Sequence, residues 1–467
     1  MITLLSVYIL LFIIQFSLTQ SKTELKFVYE VFRHGARSPW APGNKGINET
    51  SQDIFGEYWF NSLPGLESEL TGMGLRQQYL LGYKMRSRYV DTGFLDKSFN
   101  MSQVLIYSTN VNRTMMSAQS QLFGMYPPGT GNQIFDNQSI LAIPPGNPIP
   151  DLDKILTELQ NNSILFGSQV FPVHLFDEKY EGLHNTGKCP AISNILNNNE
   201  KKQEIVEYQK TFNATYFDKL QSVLGFKDKD YLMSMHNLFL IADAFIASYF
   251  EGRNLESLVK AGINLDDFYK ETHTIERLWM VRLFGDKDCH VSKLSATGVL
   301  KELINNLDWV VAQENLGDKA DWTKRQKFIM HSMHDTSIFG ILTYLDFTIQ
   351  TGNKDYPEFA SSLIFEFTKN TTKTKNYNFE DFTVSIEINN KNIYNSQYEN
   401  FRTKINSQLL TKEEIDDFCD LISHETHILF IIIIVVLAIV VIIQIIVIII
   451  VVRKRQNLAA YSENLTS

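Results

Sequence analysis

Cysteine is scarce in this chain: 467 residues carry only Cys189, Cys289 and Cys419. A small domain held by a dense disulfide framework is thereby excluded. In an oxidising compartment three thiols allow one pair and one left over. Spacing alone leaves the pairing open, although a Cys189–Cys289 bond would close a loop of about a hundred residues, worth up to ~4–5 kcal/mol in a chain-entropy account. Positive charge is also in deficit, with 43 Lys and Arg against 52 Asp and Glu, a net charge of −9. That excludes the basic field expected of a nucleic-acid partner. A small phosphate ester stays open, because a local arginine cluster can oppose the global sign. Fixed-period repeats, coiled-coil heptads and long low-complexity tracts are missing as well. What remains, 44% hydrophobic with 32 Phe and 20 Tyr, is the composition of a folded globular core.

Two long apolar runs stand out. Residues 3–18 are almost wholly apolar and turn polar at Thr19-Gln20-Ser21-Lys22, which predicts a signal peptide over residues 1–20. No Lys or Arg precedes that run, so an uncleaved anchor is the competing reading. Ile428 to Val452 is apolar except for Gln444, long enough to cross a hydrocarbon core of roughly 30 Å. Arg453-Lys454-Arg455 follows at once. A basic flank there puts the tail, 453–467, in the cytosol and residues 21–427 in the lumen or outside. The expectation is a single-pass type I membrane protein. Asn-X-Ser/Thr acceptors at Asn48, Asn100, Asn112, Asn137, Asn161, Asn213 and Asn370 agree with that side, although Asn112 adjoins Arg113 and no glycan is expected there.

Three short β-rich runs end in polar clusters. Leu25–Phe32 leads into Arg33-His34-Gly35, Val104–Tyr107 into Ser108-Thr109-Asn110 and Arg113, and Lys327–Met330 into His331-Ser332-Met333-His334-Asp335. Such runs read as buried strands, and open α/β sheets place ligands beyond the carboxyl ends of their strands. Between the first two, Thr71 is a cap candidate, and Leu75, Tyr79, Leu80 and Tyr83 recur at helical spacing, implying a parallel crossover. The fold class is therefore α/β, with a central, mostly parallel sheet flanked by helices. The core falls at about 25–140 and 295–420. A smaller, mostly helical cap is inserted at about 141–294, with helices at 203–224 and 236–250. One C-terminal transmembrane helix, 428–452, completes the chain. Runs at 362–367 and 382–388 predict an edge hairpin, and Asn389-Asn390 a polar loop.

The first cluster joins two arginines to a histidine and a glycine. A guanidinium is planar, permanently charged and forked, so it grips phosphoryl oxygens in pairs. A neutral imidazole nitrogen can attack phosphorus. Phosphoryl transfer asks mainly for positioning and charge neutralisation, which arginines supply without a metal. A metal site built on His34, His334 and Asp335 is disfavoured, since neighbouring arginines repel a divalent cation.

Arg33-His34-Gly35-Ala36-Arg37-Ser38-Pro39 resembles the RHGxRxP motif of the histidine acid phosphatases. Leu70-Thr71 with Gly74, Gln78, Gly82 and Arg86-Ser87-Arg88-Tyr89 resembles the helix that follows it in that family. Tyr107-Ser108-Thr109 with Arg113-Thr114 resembles its second arginine segment, and His334-Asp335-Thr336 its HD motif. The similarity runs from about residue 26 to 420 and is nearest the membrane-anchored lysosomal and prostatic branch. It implies a phosphoglycerate mutase-like fold and no cofactor, and it admits a homodimer. It implies His34 as a nucleophile forming phosphohistidine, and Arg33, Arg37, Arg113 and His334 as phosphoryl ligands. Asp335 is implied as proton donor to the leaving alcohol. His174 resembles a family position near the substrate mouth, with a simple buried histidine as the alternative, while His331 reads as packing. Family members carry six cysteines. Cys189 and Cys419 stand at family positions without their usual partners, Ser361 and Ser362 falling where one is expected.

The implied activity is hydrolysis of small phosphate monoesters at acid pH by a lumenal or extracellular domain, in a lysosome, another acidic vacuole or the plasma membrane. Alternatives are a phytase or inositol polyphosphate phosphatase, a lysophosphatidate phosphatase, and a catalytically silent receptor ectodomain.

Overall fold

The computed structural model describes residues 23–40, 68–135, 138, 141–146, 148–176, 188–346, 356–373, 375–419 and 423–463. The expected signal peptide, Asn48, Asn137 and the end of the tail lie outside the described residues.

Seven strands form one sheet in the order β3-β2-β4-β1-β5-β6-β7. They are β1 (Thr23–Arg33), β2 (Val104–Ser108), β3 (His174–Leu175), β4 (Phe328–Met333), β5 (Ser362–Asn370), β6 (Phe382–Ile388) and β7 (Lys391–Gln397). The sheet is mixed. From β3 to β1 every pairing is parallel, and from β1 to β7 every pairing is antiparallel. The parallel half holds the three strands whose ends carry the Arg and His clusters. Ser332 of β4 lies level with Phe32 of β1 and with Ser108 of β2. Chain leaving all three strands therefore emerges at one rim.

β1 reads as a nearly continuous apolar run because both its faces are covered. Phe27, Tyr29 and Val31 face one core with the helix α6 (His290–Leu316), while Val28 and Phe32 face a second with the helices α1 (Gly72–Met85) and α2 (Asn112–Met125). The predicted edge hairpin is β5–β6, but the outermost strand is β7. Its sequence, KNIYNSQ, is too polar to signal a strand. Asn389 and Asn390 both have positive φ (49° and 70°), the two-residue turn that matches the twist of a hairpin.

The packing face of α1 is the reverse of the expected one. Leu80 and Tyr83 are 58% and 57% exposed, whereas Gly74, Gln78, Gly82 and Met85 are buried. The cause is close helix approach. A Cβ on Gly82 would lie 1.8 Å from the Gln121 carbonyl oxygen, and one on Gly124 would lie 2.0 Å from that of Tyr79. Only a glycine face permits this, so apolar periodicity pointed the wrong way. Thr71 does cap the helix, its hydroxyl accepting from the Gly74 N–H at 3.2 Å.

Three further helices, α3 (Gln203–Leu224), α4 (Met235–Phe250) and α5 (Leu265–Phe284), build a third core around Phe212, Leu238, Ile241, Phe245 and Phe268. Ala36 of the first motif and Phe359 belong to that core. The stretch expected as a helical cap also contains β3, which joins the sheet beside β2.

Glu30, in the middle of β1, is fully buried, with Ser362 donating to it at 2.6 Å and Gln121 at 2.9 Å. Burial pushes its carboxyl up to about 7. The folded chain thus holds a proton there that the unfolded chain releases near pH 4.5. Stability from this group is full below that value and is lost as pH rises through about 7, on the order of 3 kcal/mol in all. Glu30→Gln is expected to leave the melting temperature at pH 5 within a few degrees and to raise it at pH 8. Equal shifts at both pH values would remove Glu30 from this role.

Leu410 onward groups with the segment around Cys189 as a separate unit. It contains the helix Lys412–Cys419 and the long helix Ser423–Glu463, whose stretch Ile431–Arg455 has the length and composition of a membrane span. Cys189 and Cys419 are bonded to each other, and Cys289 is free. The two cysteines that seemed partnerless by family comparison are 230 residues apart in sequence and are brought together only by folding. Thiol titration of the denatured, unreduced chain should find one reactive group, and three after reduction.

Candidate active site

The motif loop leaves β1 at Arg33 and is pinned by the two glycine-faced helices. Gln78 donates to the Arg33 carbonyl at 2.8 Å, the Gly35 N–H donates to Ser117 at 3.1 Å, and the Ala36 N–H donates to Gln77 at 2.8 Å. A Cβ on Gly35 would stand 2.3 Å from the Gly74 carbonyl oxygen. Glycine is therefore required at Gly35 so that the loop can press against the start of α1.

His34 is 2% exposed. Its Nδ1 lies 2.9 Å from the Gly35 carbonyl oxygen. A carbonyl only accepts, so Nδ1 carries the proton and Nε2 presents its lone pair. Burial, followed by the charges of Arg113, Arg33, Arg37 and His334, holds this imidazole well below its ordinary protonation range. The charges of three arginines and the second histidine thus act on one imidazole. The His34 and His334 rings lie 5.6 Å apart, edge to face.

Each cation has its own support. Arg33 is buried, donating to the Pro357 carbonyl at 2.7 Å and pairing with Asp335 at 2.9 Å, with its guanidinium 4.2 Å from the Phe359 ring centre. Arg37 is held by both oxygens of Asp243, at 2.6 and 3.2 Å. Arg113, in the first turn of α2, touches the Ser68 carbonyl only at 3.4 Å. Burial and the neighbouring Arg37 bring it down to about 10, so it remains charged throughout the acid range. His334 directly precedes the helix α7 (Asp335–Tyr344), and its Nε2 lies 3.0 Å from the Thr109 hydroxyl at the end of β2.

Asp335 opens α7, where its Oδ1 accepts from the Thr336 N–H at 2.7 Å. Its Oδ2 accepts from the Tyr356 hydroxyl and from Arg33. Burial pushes this carboxyl up, but Arg33, Tyr356 and His334 outweigh burial and hold it below its usual range. These partners favour the ionised form of Asp335.

All six residues singled out in the sequence, His34, Asp335, Arg33, Arg37, Arg113 and His334, meet at the rim of the parallel half-sheet. Three contributors were not singled out: Asp243, Tyr356 and Phe359. Asp243 carried a usable signal, being the lone acid within the apolar run LFLIADAFIASYF of α4. His174 is not the simple buried histidine of the alternative reading: it is an exposed residue of edge strand β3, with its ring against Tyr107 at 6.2 Å. A parallel pairing too short to signal a strand placed it there. His331 is packing, boxed by the rings of Tyr29, Tyr107 and Phe176 with Glu302 at 2.8 Å.

Residues 24–380 match the family described as Histidine phosphatase superfamily (branch 2). The chain is 25% identical over 377 residues to lysosomal acid phosphatase of Xenopus laevis, covering 80% of this chain and 71% of that protein. It is 27% identical over 344 residues to prostatic acid phosphatase of Rattus norvegicus, covering 73% and 74%. Among solved structures, Hafnia alvei phytase in complex with tartrate superposes with a TM-score of 0.55 at 14% identity, covering 83% of this chain and 98% of that one. That likeness is one of fold. A histidine ringed by three arginines at the end of β1, a His-Asp pair at the end of β4, and a family match across most of the chain lead to one assignment: this protein belongs to branch 2 of the histidine phosphatase superfamily.

Proposed function

We propose that the chain is an acid phosphatase that hydrolyses small phosphate monoesters through a phosphohistidine at His34. The observation that carries this is the state of His34, with Nδ1 pinned by the Gly35 carbonyl and protonation suppressed by burial and by surrounding cations. A histidine nucleophile ordinarily fails as pH falls below its pKa. This one is held well below the ordinary histidine range, so its lone pair persists to lower pH.

In the first step His34 Nε2 attacks phosphorus, while Arg33, Arg37, Arg113 and His334 take up the charge on the phosphoryl oxygens. The P–O bond breaks, and Asp335 gives its proton to the departing alkoxide. In the second step Asp335, now a carboxylate, takes a proton from water. The hydroxide attacks phosphorus, the P–N bond breaks, and inorganic phosphate leaves. Asp335 must hold a proton at the outset, although Arg33, Tyr356 and His334 favour its ionised form. A bound phosphoryl group resolves this by competing for the Arg33 guanidinium and adding negative charge beside the carboxyl, both of which raise its pKa. Substrate binding and proton uptake are thereby coupled, which favours acidic surroundings.

The apolar helix Ile431–Arg455 fits a membrane anchor. The Arg453-Lys454-Arg455 flank supports a type I orientation with the catalytic unit in the lumen of a lysosome or related acidic compartment, or outside the cell. Quenching the enzyme in the middle of turnover on a radioactive monoester, and hydrolysing the protein in base, should give acid-labile phosphohistidine. Acid-stable label on serine, or acyl phosphate on aspartate, would sink this reading.

A further inference from the structure

The motif ends at Pro39, and the next residue, Trp40, is 47% exposed. Its backbone N–H donates to Asp243 Oδ2 at 2.7 Å, and the same carboxylate grips Arg37. The Trp40 backbone is thus tied through one side chain to a clamp arginine. One turn before Asp243 on α4 lies Phe239, and nearly two turns before it lies His236, so all three share a helix face. Trp40 meets both rings, at 6.2 Å from His236 and 6.4 Å from Phe239, each T-shaped. Phe239 is stacked in turn on Trp279 at 4.5 Å. Exposure rises along the series, from Arg37 at 6%, Asp243 at 5% and Phe239 at 8% to the exposed His236 and Trp40. This is the profile of a wall running from the clamp outward to solvent.

We propose that Trp40, His236 and Phe239 form the surface against which the ester's leaving group lies, and that this surface selects monoesters of planar aromatic alcohols. The inference rests on the reading of Arg37 as a phosphoryl ligand. A leaving group attached to a phosphoryl held by Arg37 has to depart outward past this wall. Aromatic faces and edges at T-shaped angles offer stacking and edge contacts to a flat ring. A polyol would ask for several hydrogen-bonding groups along the wall, and a polyphosphate for further cations. Arg282, the cation behind the wall, is already paired with Glu200 at 2.7 Å and lies over Trp279 at 4.9 Å.

Non-hydrolysable phosphonates separate ring recognition from leaving-group reactivity. The full chain in detergent is tested with phenylphosphonate, methylphosphonate and inorganic phosphate as competitive inhibitors. The phenyl compound is expected to bind roughly five- to tenfold more tightly than the methyl compound. Trp40→Ala should bring that ratio to within about twofold, and Trp40→Phe should retain most of it. Taking the ratio on each variant cancels any partial loss of folded protein, and Phe239→Leu gives an independent reading. Equal inhibition of the wild type by the two phosphonates, or a ratio unchanged in both Trp40→Ala and Phe239→Leu, overturns the proposal. If the enzyme turns over monoesters while the ratio is near one, the wall alone is lost. A chain that neither turns over a monoester nor responds to inorganic phosphate loses the clamp reading and this inference together.

Discussion

Replacing His34 by alanine is expected to lower the turnover of any phosphate monoester by about 10⁴-fold or more, because no other group can form the phosphoenzyme. Affinity for inorganic phosphate should survive. Arg33, Arg37 and Arg113 are held by partners other than His34: the Pro357 carbonyl and Asp335, the Asp243 carboxylate, and the Ser68 carbonyl. Stability should change little. The imidazole is buried, and its hydrogen bond is to the adjacent Gly35 carbonyl. A melting temperature within about 5 °C of wild type, phosphate protection against melting, and loss of the acid-labile label together form the expected pattern. Retained turnover in a folded variant removes His34 from the nucleophilic role.

The second large effect belongs to Asp335→Asn. Asparagine keeps the shape and can still accept from Tyr356, but it has no proton to give. An alkyl monoester, whose alkoxide is a poor leaving group, should lose roughly 10³-fold in kcat. A nitrophenyl ester, whose leaving group needs no proton, should lose about tenfold, the remainder reflecting the disturbed Arg33 pairing. The two losses are read from the same preparation, so their ratio is insensitive to folded fraction. Equal losses would show that Asp335 positions Arg33 and does not transfer a proton. The pH profile gives a second view. Because His34 resists protonation, the acid limb should not carry a histidine-like ionisation, and the alkaline limb of kcat should shift or vanish in Asp335→Asn.

Much of the site was legible because its chemistry is written in local strings. Arg33 to Pro39, Arg113, and His334-Asp335 each follow a short apolar run, and a parallel sheet delivers the ends of such runs to one rim. The expected helices at 203–224 and 236–250 were legible for a similar reason, since period and capping are local properties. Elsewhere a local signal was misleading. The apolar positions of α1 suggested a packing face, yet the buried face is made of Gly74, Gln78 and Gly82, because two helix backbones come within contact of one another. β7 carried too little apolar character to announce itself, and its strand state comes from pairing with β6.

By itself the sequence determined the candidate reacting groups, the strands that present them, and the apolar segment that can span a membrane. Those features depend on residue type and near neighbours. Tertiary structure alone decided which carboxylate holds Arg37, that Tyr356 and Phe359 close over Arg33, and that Cys189 pairs with Cys419. It also decided that His34 is harder to protonate than an ordinary histidine. A pKa is set by burial and by the field of every charge around the group, and here three arginines that stand up to 80 residues apart in sequence, Arg33, Arg37 and Arg113, act on one buried imidazole.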